Sequence, residues 1–204
     1  MTPGIEVRRA RLSDMDFIRR LSLELVGQGI PESRDIPTAQ VLERAQASLH
    51  ELDQWILRKR DFAVLVAVDA HKEQLPAGFL ILEFHHIEES TGESQSFLFN
   101  MGVEEAYWGR YVGHALVREA ARITHQRGYR YMTAKVSASN ERALLSAIQV
   151  GFDIERYQLT MACGAEGPVR MPGRPLAERS HSVSRLLRTR KRREGQQTTS
   201  GETP

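Results

Sequence analysis

The sequence predicts an α/β fold, a mixed and strongly twisted sheet flanked by helices. Three observations predict it. Residues 99–152 run strand, turn, helix, strand, helix, and a strand–helix–strand unit of that length sets two strands parallel. Residues 62–68, Phe-Ala-Val-Leu-Val-Ala-Val, form one unbroken apolar run, as in a strand covered on both faces. Two helices with apolar stripes lie between the first strand and that run, so the sheet has layers to pack against.

The elements follow in order. Residues 5–11 alternate as an edge strand does. Ser13 and Asp16 read as a capping box with Asp in place of Glu. Phe17, Ile18, Leu21 and Leu25 mark the first helix, which ends near Gly27 and Gly29. Residues 31–37 are a loop, and Pro37 suits the first turn of a second helix. Val41, Ala45, Leu49, Leu52 and Ile56 give that helix one stripe. Beyond the apolar strand come a polar turn at 69–76, a strand at 77–87, a loop at 88–94 and a strand at 95–103. Residues 129–136 read as the next strand. Ser137 to Asn140 open the last helix, Gly151 and Phe152 stop it, and residues 154–161 are expected to close the sheet.

Residues 103–116, Val-Glu-Glu-Ala-Tyr-Trp-Gly-Arg-Tyr-Val-Gly-His-Ala-Leu, lead from a strand through a turn into a helix. Val112, Leu116, Ala120 and Ile123 recur at helical spacing, and Gly128 ends the helix after His125 and Arg127. Its first N–H groups lack partners within the helix, and the helix dipole favours an anion there, such as a phosphate. Gly109 and Gly113 let backbone and ligand come close.

Residues 103–152 resemble the core of the GNAT superfamily of acetyl-CoA-dependent N-acetyltransferases. The family's phosphate-loop pattern is Val-x-Pro-Glu-Tyr-Arg-Gly-x-Gly-x-Gly-x-Ala-Leu. Val103, Tyr107, Gly109, Gly113, Ala115 and Leu116 match it. Its later pattern, Asn-x-x-Ala-x-x-Leu-Tyr-x-Lys-x-Gly-Phe, is matched by Asn140, Ala143, Gly151 and Phe152. The order of elements fits over roughly residues 5–161. The chain departs from the family at Trp108, where Arg or Gln is usual, and at Tyr111, in place of the first phosphate-loop Gly. Ser146 and Ala147 replace Leu-Tyr, so the tyrosine often used as general acid is missing.

The resemblance implies a cofactor cleft between two splayed parallel strands, with acetyl-CoA as acyl donor. It implies that Met101, Gly102 and Val103 carry the pantetheine arm by their main chain, and that Trp108, Gly109, Arg110, Tyr111, Val112 and Gly113 hold the pyrophosphate. A backbone N–H at a bulge near the end of the 95–103 strand would serve the thioester carbonyl. Asn140 either touches the pantetheine or simply caps its helix. The loop between the first two strands would line the acceptor pocket.

Acyl transfer to an amine needs a neutral amine, a stabilised oxyanion and a departing thiolate. Glu83 shares a strand face with Phe79 and Ile81, and a carboxylate on an apolar face calls for a reason. It is a candidate general base, direct or through water; pairing with an Arg is the alternative. His85 and His86 lie on opposite faces of one strand, so at most one sees the cleft. Asn100 can orient a water but cannot take a proton. Tyr111 and Tyr157 are candidate proton donors in place of the missing tyrosine, and for Tyr157 core packing is preferred.

The chain has 204 residues, 41% hydrophobic, enough for one domain with additional chain. Cys163 is the single cysteine, which excludes an internal disulfide and suits a reducing compartment. No zinc spacing, Walker pattern or metal cluster appears. No signal peptide or membrane-spanning run is visible, so a cytoplasmic monomer or homodimer is expected. The net charge of +2 divides unevenly. Residues 164–204 hold nine Arg and Lys against four Glu, a surplus of five, while residues 1–163 hold 19 against 22 acidic residues, a deficit of three. Gly164, Gly167, Pro168, Pro172, Gly173 and Pro175 are expected to break regular structure. Residues 1–162 therefore read as the N-acetyltransferase-like domain and residues 163–204 as a basic, disordered tail.

The function expected is acetyl transfer to a primary amine of a small molecule or protein. Two rival readings remain at this level. One is a non-catalytic acyl-CoA-binding regulatory module, favoured by Ala147. The other is a nucleic-acid- or ribosome-associated protein that acts through its Arg-rich tail. Anionic membrane binding is disfavoured, because no aromatic anchors lie near the tail.

Overall fold

The structure is a computed structural model that describes residues 4–51, 54, 56 and 60–169. The Arg-rich stretch from residue 170 onward and the expected stripe position Leu52 lie outside the described residues. The described residues fall into two compact units, one within residues 4–31 and 36–156, the other within residues 32–35 and 157–169.

The first unit is built on five strands, β1 (Ile5–Arg9), β2 (Phe62–Asp69), β3 (Leu75–Ile87), β4 (Ser94–Val103) and β5 (Met132–Ala134), in spatial order 1-2-3-4-5. The first three pairings are antiparallel, and β4 with β5 is parallel. The α-helices whose bounds lie among the described residues are α1 (Met15–Leu25), α2 (Thr38–Leu49), α3 (Val112–Gln126) and α4 (Glu141–Val150). The mixed sheet flanked by helices is the fold expected.

Strand β2 shows why both faces are apolar. Val64, Val66 and Val68 face a core made with Met15, Ile18, Leu21 and Leu49, beneath α1 and α2. Ala63, Leu65 and Ala67 face the opposite core, with Val112, Leu116, Ala120 and Ile123 of α3. Alternation along one strand feeds two layers, so neither face remains polar.

Local details differ from the expectations. The reciprocal side-chain bond falls in the turn before α1 and uses Asp14, not Asp16. The Asp14 carboxylate accepts the Arg11 N–H at 2.7 Å, while the Asp16 side chain is fully exposed. Arg8 selects Asp14, donating to both its oxygens at 2.7 and 2.9 Å. Helix α2 stops at Leu49, where the His50 N–H turns back to Ala47, although Ile56 still packs on the same core. Strand β5 spans three residues, not eight, because its pairing with β4 ends at Leu98 and Ala134.

The largest correction concerns residues 154–161. They form no strand, and the sheet ends at β5. The alternation that suggests a strand has no buried side: Tyr157, Leu159 and Met161 are all exposed. Regular structure appears later, within the second unit, where β6 (Ala162–Gly164) and β7 (Gly167–Val169) pair as a short hairpin. Gly167, at φ +117°, suits the exit from that turn, so glycine here supports a hairpin instead of breaking it.

Candidate functional site

Strands β4 and β5 pair at Ser96–Met132, Phe97–Thr133 and Leu98–Ala134, and then part. The parting coincides with an irregularity on the other edge of β4. Leu82 stands opposite Leu98, and Ile81 opposite Asn100, so Phe99 is an extra residue. Beyond the bulge, the Glu104 N–H donates to the Ala77 carbonyl on β3. Backbone direction alternates along a strand, so Gly102 also faces β3, while Met101 and Val103 turn their N–H and C=O toward the side β5 has left. An extended chain carrying amides can add there as a strand would. Gly102 differs from its two neighbours. A Cβ built on it would lie 2.7 Å from Phe79 and 2.9 Å from Leu25, so glycine is required there by the core under α1.

The turn after β4 carries the chain to α3. Gly109 has φ +76°, and Tyr111, the residue before the helix, has φ +58°. A left-handed tyrosine is uncommon, and the family pattern has glycine at this position. No side chain caps α3, and Ala115 is the first residue whose N–H reaches back, to the Tyr111 carbonyl at 3.0 Å. The N–H groups of Val112, Gly113 and His114 therefore stay open at the positive end of the helix dipole. Gly113 lies against β4, where a Cβ added to it would come 3.9 Å from Val103 and 4.0 Å from Met101. The helix start and the open strand edge thus form one continuous surface.

Tyr107 anchors this turn. Its buried hydroxyl donates to the buried Asp69 carboxylate at 3.0 Å. Burial first, and the Asp69 carboxylate second, push its phenol above the ordinary tyrosine range. Lys72 and Arg110 each lie 5.5 Å from its ring centre. Glu104 also pairs with Arg20 of α1.

Asn140 caps α4, its Oδ1 accepting from the Ala143 N–H at 3.1 Å, and its Nδ2 donates to the Gln28 carbonyl at 3.3 Å. Arg142 donates to Gln28 Oε1 at 3.0 Å and stacks on the Trp108 ring at 3.5 Å. The Trp108 Nε1–H donates to the Val103 carbonyl at 2.9 Å. Sequence patterns carry no sign of this chain of contacts, because its members come from three separate segments.

Glu83 is half-buried, beside Phe62 on β2 and Phe97 on β4, on the α1 side of the sheet. Asn100 is registered with Ile81 on that same side and donates to the buried Ser22 hydroxyl of α1 at 3.3 Å. His85 and His86 do point apart. His85, at φ +65°, meets the Tyr129 hydroxyl at 2.8 Å, while His86 stacks on Phe97 at 4.9 Å. Tyr111 is exposed and edge-on to His114, at the helix end of the site. The strand run from the bulge at Phe99 to Val103 lies between them, about 13 Å at ~3.3 Å per residue. Tyr157 is exposed in the second unit, so core packing is not its role. Among the described residues no three His, Cys, Asp or Glu side chains gather as metal ligands would, and no helix is long and apolar enough to cross a membrane.

Comparison with known proteins agrees with this geometry. The model of the acetyltransferase (GNAT) family matches residues 32–152, more than half of the chain. No curated protein matches the chain by sequence. Solved structures share the fold. A GCN5-related N-acetyltransferase from Ralstonia eutropha has a TM-score of 0.61 at 13% identity, covering 79% of this chain and 100% of its own. The PaiA N-acetyltransferase from Thermoplasma acidophilum, in complex with coenzyme A, gives 0.61 at 18% identity over 76% and 92%. An aminoglycoside antibiotic 6'-N-acetyltransferase from Acinetobacter baumannii gives 0.57 at 15% over 79% and 99%. With the five-stranded mixed sheet, the parting strands and the family match together, the chain belongs to the acetyltransferase (GNAT) family and is an acyltransferase.

Proposed function

We propose that the protein transfers an acetyl group from acetyl-CoA to a primary amine, with the donor lying in the gap between β4 and β5. The observation that carries this is the coincidence of three features: the bulge at Phe99, the outward amides of Met101 and Val103, and the uncapped start of α3. The two pantetheine amides pair with Met101 and Val103 as an added strand, and the pyrophosphate meets the N–H groups of residues 112–114. Gly109, Arg110 and Tyr111 complete the turn around it. The acyl carbonyl then lies near the bulge, where a strand N–H would stabilise the oxyanion.

Glu83 serves as the general base. It lies on the α1 side, opposite Phe97 and two positions from the bulge, and acts through a water held with Asn100. The amine nitrogen attacks the thioester carbon, its proton passes to that water and on to Glu83, and the C–S bond breaks. Tyr111 stands at the phosphate end, which favours water as the donor to the leaving thiolate. Thiols have a pKa of about 8.5 in water, so a dedicated acid is helpful but not obligatory.

Structural relatives named as aminoglycoside N-acetyltransferases make aminoglycosides and their amino sugars the acceptors to try first. The test is release of free CoA thiol from acetyl-CoA across a panel of primary amines, with product mass measured. Thiol release matched by acetylated amine is expected. CoA binding with no amine-dependent release would leave the protein a binding module.

A further inference from the structure

We propose that the Trp108 indole stands in the track taken by the pantetheine arm, and that the cofactor binds by displacing it from Val103. This rests on the placement of acetyl-CoA between β4 and β5.

The Val103 carbonyl is one of the few β4 groups facing the open side of the gap. It accepts the Trp108 indole N–H at 2.9 Å. A carbonyl has two lone pairs, but an indole on the open side brings its whole ring with it. That ring is overlaid by the Arg142 guanidinium at 3.5 Å, and Arg142 is held in turn by Gln28 at 3.0 Å. The strap therefore runs from the connection after α1, through the start of α4, onto the last residue of β4. An arm adding along β4 has to reach the same oxygen from the same side. The indole and a pantetheine amide are rivals for one acceptor.

Trp108 is suited to leave. It is 38% exposed, and it lies in the turn beside Gly109, which has φ +76° and no atom within 4 Å of where a Cβ would be. Arg142 forms no ion pair with any described residue, so its stacking and its amide contact are what hold the indole down. The chain departs from the family pattern at this position, and Arg or Gln there lacks an indole's breadth. The departure thus lowers cofactor affinity by the fraction of molecules in which the indole is seated.

The test uses the full chain carrying Trp55→Phe, which leaves Trp108 as the single tryptophan. CoA is titrated while emission is followed, and affinity is measured by calorimetry. Saturating CoA should change the Trp108 emission, and the binding rate should level off at high CoA as indole release becomes limiting. Trp108→Phe keeps an aromatic ring and removes the donor. It should bind CoA roughly fivefold tighter, the ratio set by one net neutral hydrogen bond. Arg142→Ala should shift affinity in the same direction, and it serves if Trp108→Phe does not fold. Unmoved emission at saturation, or affinity equal to or weaker than wild type in these variants, overturns the proposal. Failure of the wild-type protein to bind CoA overturns the underlying placement instead.

Discussion

The Tyr107 hydroxyl donates to the Asp69 carboxylate at 3.0 Å, and both groups are buried. One hydrogen bond fastens the turn that leads into α3 to the end of β2. Tyr107→Phe leaves the Asp69 carboxylate without that donor, though it still accepts from the His71 N–H. Stability should fall by about 1–3 kcal/mol, read by urea unfolding, with weaker CoA binding because the turn is less fixed. The pH dependence has a definite sign. The folded phenol is raised above its unfolded value, so its contribution is complete below about pH 10 and is lost as pH rises further. Alkaline unfolding should be less steep in Tyr107→Phe than in wild type.

Arg8 and Asp14 predict the opposite limb. Burial pushes the Asp14 carboxyl upward, but the Arg8 hydrogen bond, the Arg11 N–H and both positive charges outweigh it, and the net shift is downward. A lowered carboxyl contributes stability above its unfolded value, near pH 4, and loses it as pH falls through the folded value. Asp14→Asn should destabilise the protein at neutral pH and lessen its loss of stability between about pH 4 and pH 2. Urea midpoints measured at both pH values check this.

Gly102→Ala separates packing from binding. Its Cβ would crowd Phe79, Leu25 and Leu21 at 2.7, 2.9 and 3.2 Å, so a loss of about 1–3 kcal/mol is expected in thermal or chemical unfolding. Gly113→Ala meets ordinary contacts and should fold normally. Gly113→Glu should fold as well, since an acid in the first turn favours the helix. It should nevertheless bind CoA at least about tenfold more weakly, roughly 1.4 kcal/mol, because an anion then faces the pyrophosphate. Unchanged affinity in folded Gly113→Glu would remove the phosphate site from the start of α3.

Glu83→Gln tests the base. Turnover should fall by roughly 10²-fold, with the acid limb of the pH profile flattened and CoA affinity unchanged. Tyr111→Phe should cost far less turnover. Full activity in a folded Glu83→Gln protein would make Glu83 structural.

Much of this architecture is legible in the sequence, for identifiable reasons. Periodicity marks the helices of Ile18 and Leu21 and of Val112 and Leu116, because each buries a stripe against one sheet face. Motif spacing locates the turn at Gly109 and the cap at Asn140, since both are local backbone devices. What stays hidden depends on distant partners. Residues 154–161 read as a strand and form none, because alternation shows what a strand can bury, not whether a surface is there to receive it. Asp14, not Asp16, accepts the Arg11 N–H in the turn before the first helix, and Arg8 pairs with it from six residues away. Tyr107–Asp69 and Trp108–Val103–Arg142 join segments whose closeness only the folded sheet creates.

Hydrogen–deuterium exchange with and without CoA tests the placement of the donor most directly. The N–H groups of Met101 and Val103 and those of residues 112–114 should be protected when CoA binds, with Gly102 little changed because its N–H already faces β3. Saturable CoA binding that protects neither segment would contradict the account.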